Sequence, residues 1–243
     1  MQEVRTSRTH KIEKDMTSEV HNIDCLEYMR TLPDNYFQLA IADPPYGIDM
    51  DGKVGSDNKG KCGNYTEKEW DTSAPDKEFF DELRRVCRHL IIWGANHFIS
   101  RIPFDSPCWI VWDKKNSGNF ADCELAWTNF PTAVRMFSYR WNGMLQENMT
   151  HKEERIHPTQ KPVALYAFLL SHYAKDGDRI FDPMMGSQSS RIAAYKLGFD
   201  YVGCELDKEY FDKGCERFDR ECHGITATPS GTKYQQTSIF DQC

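Results

Sequence analysis

The sequence has no apolar run near the roughly 18 residues a membrane span needs, and its polar opening from Met1 to Met16 lacks the apolar core of a signal peptide. The protein is therefore expected in the cytoplasm with no membrane partner. Its nine cysteines (Cys25, Cys62, Cys87, Cys108, Cys123, Cys204, Cys215, Cys222, Cys243) are odd in number and contain no CxxC pair. That argues against a disulfide framework and against a zinc cluster, and it leaves reduced, packed thiols and no metal as the expectation. Net positive charge is missing too. A formal charge of −7 counts against a uniformly basic surface of the kind nucleic acids need. Positive residues gather locally instead: Lys53, Lys59 and Lys61 in one stretch, Arg135, Arg140, Lys152, Arg155 and Lys161 in another. Glu67, Glu69, Asp71 and Asp76 lie apart from them, so a basic face on an acidic body is compatible with the sum.

What is present is enough apolar sequence for one sizeable α/β domain in 243 residues. Its most telling stretch runs from Phe37 to Gly47. The apolar run Phe37 to Ala42 reads as a buried strand. It ends at Asp43-Pro44-Pro45-Tyr46, where two prolines fix φ, remove donors and push their predecessors out of the helical region. An acid and an aromatic ring are thereby held rigid at the carboxyl end of a strand, the place where open α/β sheets bind ligands. Upstream, Val20 to Ile23 reads as a strand, Asp24-Cys25 as its end, and Leu26, Met29 and Leu32 as one face of a short helix. Strand, helix, strand in this order is a βαβ unit with parallel strands.

Residues 47–72 are glycine-rich and charged without apolar periodicity, which suits either a lid or binding loop with Tyr65 and the lysines as contacts, or plain disorder. Pro75 to His89 follows as a helix with Phe79, Phe80, Leu83 and Val86 facing a core. Leu90 to Phe98 reads as a buried strand broken at Gly94, and His97 as a packed or capping histidine. Further strands are expected at 109–112, 124–127 and 133–137. Without long helices between them they suggest an antiparallel edge to the sheet. Periodicity fades over 138–156, where Tyr139, Arg140, Trp141 and Arg155 accumulate; arginines and amides read base edges, and aromatics stack or wedge.

The second half opens with His157-Pro158-Thr159-Gln160-Lys161-Pro162 before a helix. Then Asp178 to Ser190 reads as strand, glycine turn and helix, with Gly186 allowing close approach to the backbone and the helix start favouring a carboxylate. The next strand, Tyr201 to Cys204, ends at Glu205. An acid about 20 residues past a glycine turn suits ribose hydroxyls. Residues from Asp207 to about Glu221 form a last helix, with a polar tail over 223–243 and a loose arm over 1–17.

Three of these pieces carry a resemblance. Asp43-Pro44-Pro45-Tyr46 resembles the D/N/S-P-P-Y/F motif of S-adenosylmethionine-dependent methyltransferases that modify exocyclic amines. His157 to Pro162 resembles their H-P-T-Q-K-P element, and Phe181 to Ser190 their F-D-P-F-x-G-S-G-T-T loop. With the acid motif ahead of the glycine loop, the chain is similar to the β subgroup of DNA amino-methyltransferases, in the adenine-N6 form. The resemblance implies a doubly wound, mostly parallel sheet of seven to eight strands with an antiparallel edge, in one domain over 18–222. It implies S-adenosylmethionine as cofactor, DNA as partner, a lid at 47–72 and a short target-recognition region at 138–156, so short that a second subunit could assist it. Asp43, Pro44, Pro45 and Tyr46 would be catalytic. Asp24, Cys25, His157, Thr159, Gln160, Lys161, Asp182, Pro183, Met185, Gly186, Ser187, Ser189 and Glu205 would hold the cofactor. Cytosine-N4 transfer, an RNA or nucleotide substrate, and a non-catalytic partner subunit are the alternatives. Met184, Gln188, Ser189 and Ser190 depart from the loop pattern; a side chain at Gln188 is expected to crowd the loop.

Overall fold

The computed structural model describes residues 16–47, 73–102, 104–116, 121–142, 145–227 and 233–235. The expected lid, with Lys53, Lys59, Lys61 and Tyr65, lies outside the described residues, as do the arm over 1–15 and most of the tail past 227.

Local chemistry sets the first elements. After β1 (Ser18–His21), Asp24 caps α1 (Cys25–Arg30) by accepting from the Leu26 and Glu27 amides at 2.8 and 3.1 Å, which satisfies donors that a helix start leaves open. β2 (Phe37–Ala42) is apolar on both faces and almost wholly buried, as a central parallel strand should be. α2 (Lys77–Val86) buries Phe79, Phe80, Leu83 and Val86 and runs directly into β3 (Cys87–Trp93). Then come β4 (Trp109–Asp113), β5 (Cys123–Thr128), β6 (Arg135–Ser138) and a small ribbon of β7 (Trp141–Asn142) and β8 (Leu145–Gln146). The closing elements are α3 (Val163–Tyr173), β9 (Arg179–Asp182), α4 (Ser189–Leu197), β10 (Asp200–Cys204) and α5 (Lys208–His223), followed by β11 (Ile225–Ala227) paired with β12 (Lys233–Gln235). That last ribbon falls in the tail the sequence left without structure.

The main sheet has eight strands in the order β1-β10-β9-β2-β3-β5-β4-β6. α1 and α2 pack on one face with Phe37, Ala40, Ala42, Leu90 and Ile92. α3 and α4 pack on the other with Leu39, Ile41, Ile91 and Trp93. The two-residue alternation of strand side chains thus supplies two cores, and the sheet is doubly wound. The antiparallel part corrects the expectation in one respect. β5 alone runs against the rest, and it lies inside the sheet between β3 and β4, while the outermost β6 is again parallel to β4. The chain leaves β3 through two short turns of 3-10 helix and skips a position, and the β4-β5 hairpin then folds back to fill it.

This direction pattern decides what meets at one edge. β1, β10, β9, β2 and β3 are mutually parallel neighbours, so Asp24, Glu205, the turn at Pro183, Asp43 and Gly94 all follow strand ends on the same side, at strand spacings of about 4.8 Å. Reversed β5 has its first residues on that side, and with them Glu124.

Gln188 overturns the expected crowding. It precedes α4 in a left-handed conformation (φ 61°, ψ 25°) that favours glycine, yet its side chain is fully buried and turned away from the turn, under α5. Its Nε2 donates to the Phe211 carbonyl at 3.3 Å, and its Oε1 accepts from Arg191 at 2.9 Å. Gly214 makes the room, since a Cβ there would stand 2.7 Å from the Gln188 side chain. Gly214→Ala should therefore cost about 1–3 kcal/mol in urea unfolding, and most of the loss should vanish when Gln188→Gly is made in the same chain. Equal losses in both backgrounds would mean that the Gln188 side chain does not fill the space beside Gly214.

Candidate active site

The proline corner after β2 positions Asp43 at the strand edge, and two side chains bond it there. The Lys161 ammonium lies 2.5 Å from Asp43 Oδ1, and the Tyr46 hydroxyl donates to the same oxygen at 2.9 Å. Lys161 also donates to the Tyr46 oxygen at 3.2 Å and stands 3.3 Å from Glu124, which is paired on its other side with Lys114. Asp43 Oδ2 has no bonding partner among the described residues. The carboxylate is thus gripped by one oxygen and open at the other.

Burial pushes the Asp43 carboxyl above its ordinary value; the Lys161 charge offsets this only in part, and Glu124 adds to the rise. Burial would lower Lys161, but Asp43 and Glu124 outweigh it and hold the ammonium above the usual lysine value. Burial also opposes ionisation of Glu124, yet Lys161 and Lys114 together leave it below the usual carboxylate value. The difference between the two acids follows from their neighbours, two ammoniums for Glu124 and one, shared, for Asp43.

Tyr46 is seated by Gly94. A Cβ at Gly94 would come 2.1 Å from the Tyr46 ring, and Gly94 has φ +66°, so both the space and the backbone require glycine. His97 is exposed rather than buried, and its ring stacks on Tyr46 at 5.1 Å with 14° between the rings.

Next to this corner lies the turn after β9. Glu205 accepts from the Gly186 amide at 2.9 Å through one carboxylate oxygen and from the Asp207 amide at 2.8 Å through the other. Each oxygen keeps a further lone pair. His157 stands beside the turn, 3.7 Å from where a Gly186 Cβ would be; its Nδ1 meets the Thr159 hydroxyl at 3.1 Å, and its ring packs on Tyr210. Met185 and Pro183 are buried beneath the turn, and Cys25 behind Asp24. The Cys25 thiol is pushed up to about 12 by burial first and then by the Asp24 charge. Asp182 is almost fully buried, bonded by the Ser190 hydroxyl at 2.5 Å and the Met184 amide at 3.1 Å. Burial raises it to about 7, with Asp43 and Glu205 adding to the rise. Asp24, Asp182 and Glu205 place three acids on this edge beside the Asp43–Lys161 pair.

Two of the residues expected at the cofactor are bonded within the chain. Lys161 sits on Asp43. Gln160 is buried and uses its whole amide on the chain before it, accepting from the Ile156 amide and donating to the Glu154 carbonyl, both at 3.0 Å. Sequence reasoning missed Arg217. Fully buried, it donates to the Ser187 carbonyl at 3.0 Å and the Ser189 hydroxyl at 2.8 Å, and it pairs with Glu153 and Glu221 at 2.8 and 2.7 Å. It ties the glycine turn to the start of α3, where Glu153 also accepts from the Val163 amide at 3.0 Å. Glu124 was read only as the start of a strand. Neither residue lies in a local motif; only a buried charge inside an amphipathic pattern could have signalled them. Among the expected readers over 138–156, Trp141 is buried with its indole N–H on the Gln160 carbonyl at 2.7 Å, and Arg155 donates to the Pro158 carbonyl at 3.0 Å. Arg140 and Lys152 are exposed.

A DNA methylase family model matches residues 110–216. Over those residues the chain resembles the DNA methylases of the N6/N4 amino-methyltransferase family. Along its length the chain is 26% identical to the type II methyltransferase M.HinfI of Haemophilus influenzae, with 82% of this chain and 67% of the relative covered. It is 25% identical to the type II methyltransferase M2.MboI of Moraxella bovis, with 87% and 90% covered. Its fold matches that of M1.HpyAVI solved with its SAM ligand (TM-score 0.54, 21% identical, 83% and 98% covered). It equally matches that of the cytosine-N4-specific PvuII DNA methyltransferase (TM-score 0.54, 12% identical, 85% and 93% covered).

Two outcomes check this geometry. Asp182 is raised in the folded state from 3.8 to about 7, so its contribution to stability is full below the unfolded value and is lost as pH climbs through the folded one. In urea unfolding, Asp182→Asn should gain on the wild type across that window and level off above it; a difference that does not vary with pH would refute the assignment. Gly94→Ala should cost about 1–3 kcal/mol from overpacking against Tyr46, with most of it recovered in Gly94→Ala/Tyr46→Ala.

Proposed function

We propose that this protein is a DNA methylase that transfers the methyl group of S-adenosylmethionine to the N6 amine of an adenine in DNA. The observation that carries the reading is the open Oδ2 of Asp43, on a proline-stiffened corner one strand from the Gly186 turn. An exocyclic amine is a poor nucleophile because its lone pair is delocalised into the ring. Asp43 Oδ2 and the Pro44 carbonyl accept its two hydrogens, draw it towards tetrahedral geometry and aim the lone pair. Holding reactants in line can contribute about 7–11 kcal/mol. Asp43 is then placed to take the proton the amine gives up as its new N–C bond forms.

The edge fits the cofactor. Glu205 and Asp24 present acceptors for hydroxyls and negative charge for a cation, and Gly186 opens the backbone. When bound, S-adenosylmethionine supplies an electrophilic methyl on a positive sulfur. Tyr46, backed by Gly94, offers its ring to a base that has left the duplex to be reached. Arg140 and Lys152 are the exposed cations we assign to the DNA side within 138–156, a reader short enough that a second copy of the chain could complete it. The side chain of Gln188, turned under α5, leaves the cofactor edge clear, which weighs against a non-catalytic role.

Cytosine-N4 transfer is the second reading, favoured by the equal fold match to the PvuII enzyme. Mass spectrometry of nucleosides from DNA incubated with protein and labelled S-adenosylmethionine separates the two. We expect N6-methyladenine, and at least a 100-fold slower rate for Asp43→Ala. N4-methylcytosine would transfer the reading to the second base, and label incorporated into RNA but not DNA would overturn both.

A further inference from the structure

Lys114, Glu124, Lys161 and Asp43 form a line of alternating charge that ends on the proposed acceptor. Lys161 is shared by two carboxylates, 2.5 Å from Asp43 and 3.3 Å from Glu124, and its side chain is only 4% exposed. Glu124 is itself shared by two ammoniums. We propose that Glu124 is a positioning residue for the methyl transfer: by drawing on Lys161 from behind, it limits the hold of the ammonium on Asp43 and keeps Asp43 Oδ2 a strong acceptor for the substrate amine. The inference rests on the reading of Asp43 given above.

The physical ground is competition for one cation. A carboxylate that holds an ammonium alone forms a tight, charge-assisted pair, and such an acceptor has less electron density to offer an amine. A second carboxylate on the same ammonium divides its field. The topology makes this possible. Glu124 opens β5, the strand that runs against its neighbours, so its side chain arrives at the edge where the parallel strands end. Lys114 follows β4 at the same edge and in turn divides the pull of Glu124. The other titratable groups near Asp43 are Tyr46, Tyr166 and Asp182. Tyr46 and Tyr166 are held well above the ordinary tyrosine value by burial. Neither titrates where a carboxylate does, and Asp182 remains in every variant below.

The signs follow. Neutralising Glu124 removes a negative charge that favours protonated Asp43, so the acid limb of the kcat profile moves to lower pH while the plateau falls. Neutralising Lys114 frees Glu124 and removes a positive charge, so the limb moves to higher pH. At the separations of this chain each shift should be at least about half a pH unit. A merely structural role would not move the limb in opposite directions.

The test measures kcat for DNA methylation against pH for the wild type, Glu124→Gln and Lys114→Met, with S-adenosylmethionine affinity by calorimetry as the check on folding. The expected result is opposite displacement of the two limbs, a lower plateau for Glu124→Gln, and cofactor affinity within about twofold of the wild type. Limbs that coincide with the wild type's, in variants that bind the cofactor, would overturn the proposal. Should Glu124→Gln fail to bind the cofactor, the Lys114→Met limb decides alone, in the same two ways. A wild type that methylates no nucleic acid would defeat the reading of Asp43 itself, an outcome distinct from coincident limbs.

Discussion

The ion pair between Lys161 and Asp43 is the interaction on which the rest of this edge depends. It joins the corner after β2 to the segment before α3, and so closes the first half of the chain onto the second. Removing two charges from water costs several kcal/mol for each ion unless good geometry and further bonds offset the loss. Here Tyr46 bonds the carboxylate, and Glu124 and Lys114 continue the alternation outward to side chains that are about one-fifth exposed. A pair of this kind adds little to stability compared with an apolar substitute. It instead fixes which oxygen of Asp43 is engaged and which faces out.

A second charged knot steadies the other half of the edge. Arg217 reaches from α5 to the turn at Ser187 and to Glu153, and Glu153 in turn receives the first amide of α3. Gln146 exchanges two hydrogen bonds with the backbone of Glu153, at 2.8 Å each, which anchors the β7-β8 ribbon to the same point. The glycine turn is therefore held by its neighbours, and Glu205 binds it from below through Gly186. Gln188 adds to the same packing: the residue that departs from the family pattern exchanges a small backbone strain for bonds to α5.

Much of this could be read along the chain because the signals are local. Two prolines after an apolar strand dictate the Asp43 corner whatever surrounds it, and Gly186 and Glu205 mark turn and strand end by residue type alone. The βαβ order fixes parallel strands, and hence the common edge. Two readings missed a distant partner. His97 was taken as packed or capping, and Gln188 as an obstruction. In each case the residue's partner lies far off in sequence: Tyr46 for His97, Gly214 for Gln188. Pattern reasoning sees which face of an element a residue occupies and has no view of what another element brings to it.

The sequence by itself determined the corner, the turn and the succession of strands and helices along the chain, since backbone dihedrals and hydrophobic alternation act over a few residues. Only the tertiary structure decided that β5 runs backwards within the sheet and that Glu124 thereby stands behind Lys161. Strand direction inside a sheet depends on which neighbours pair, and electrostatic partnership depends on distance through space; neither is written in any short stretch of chain.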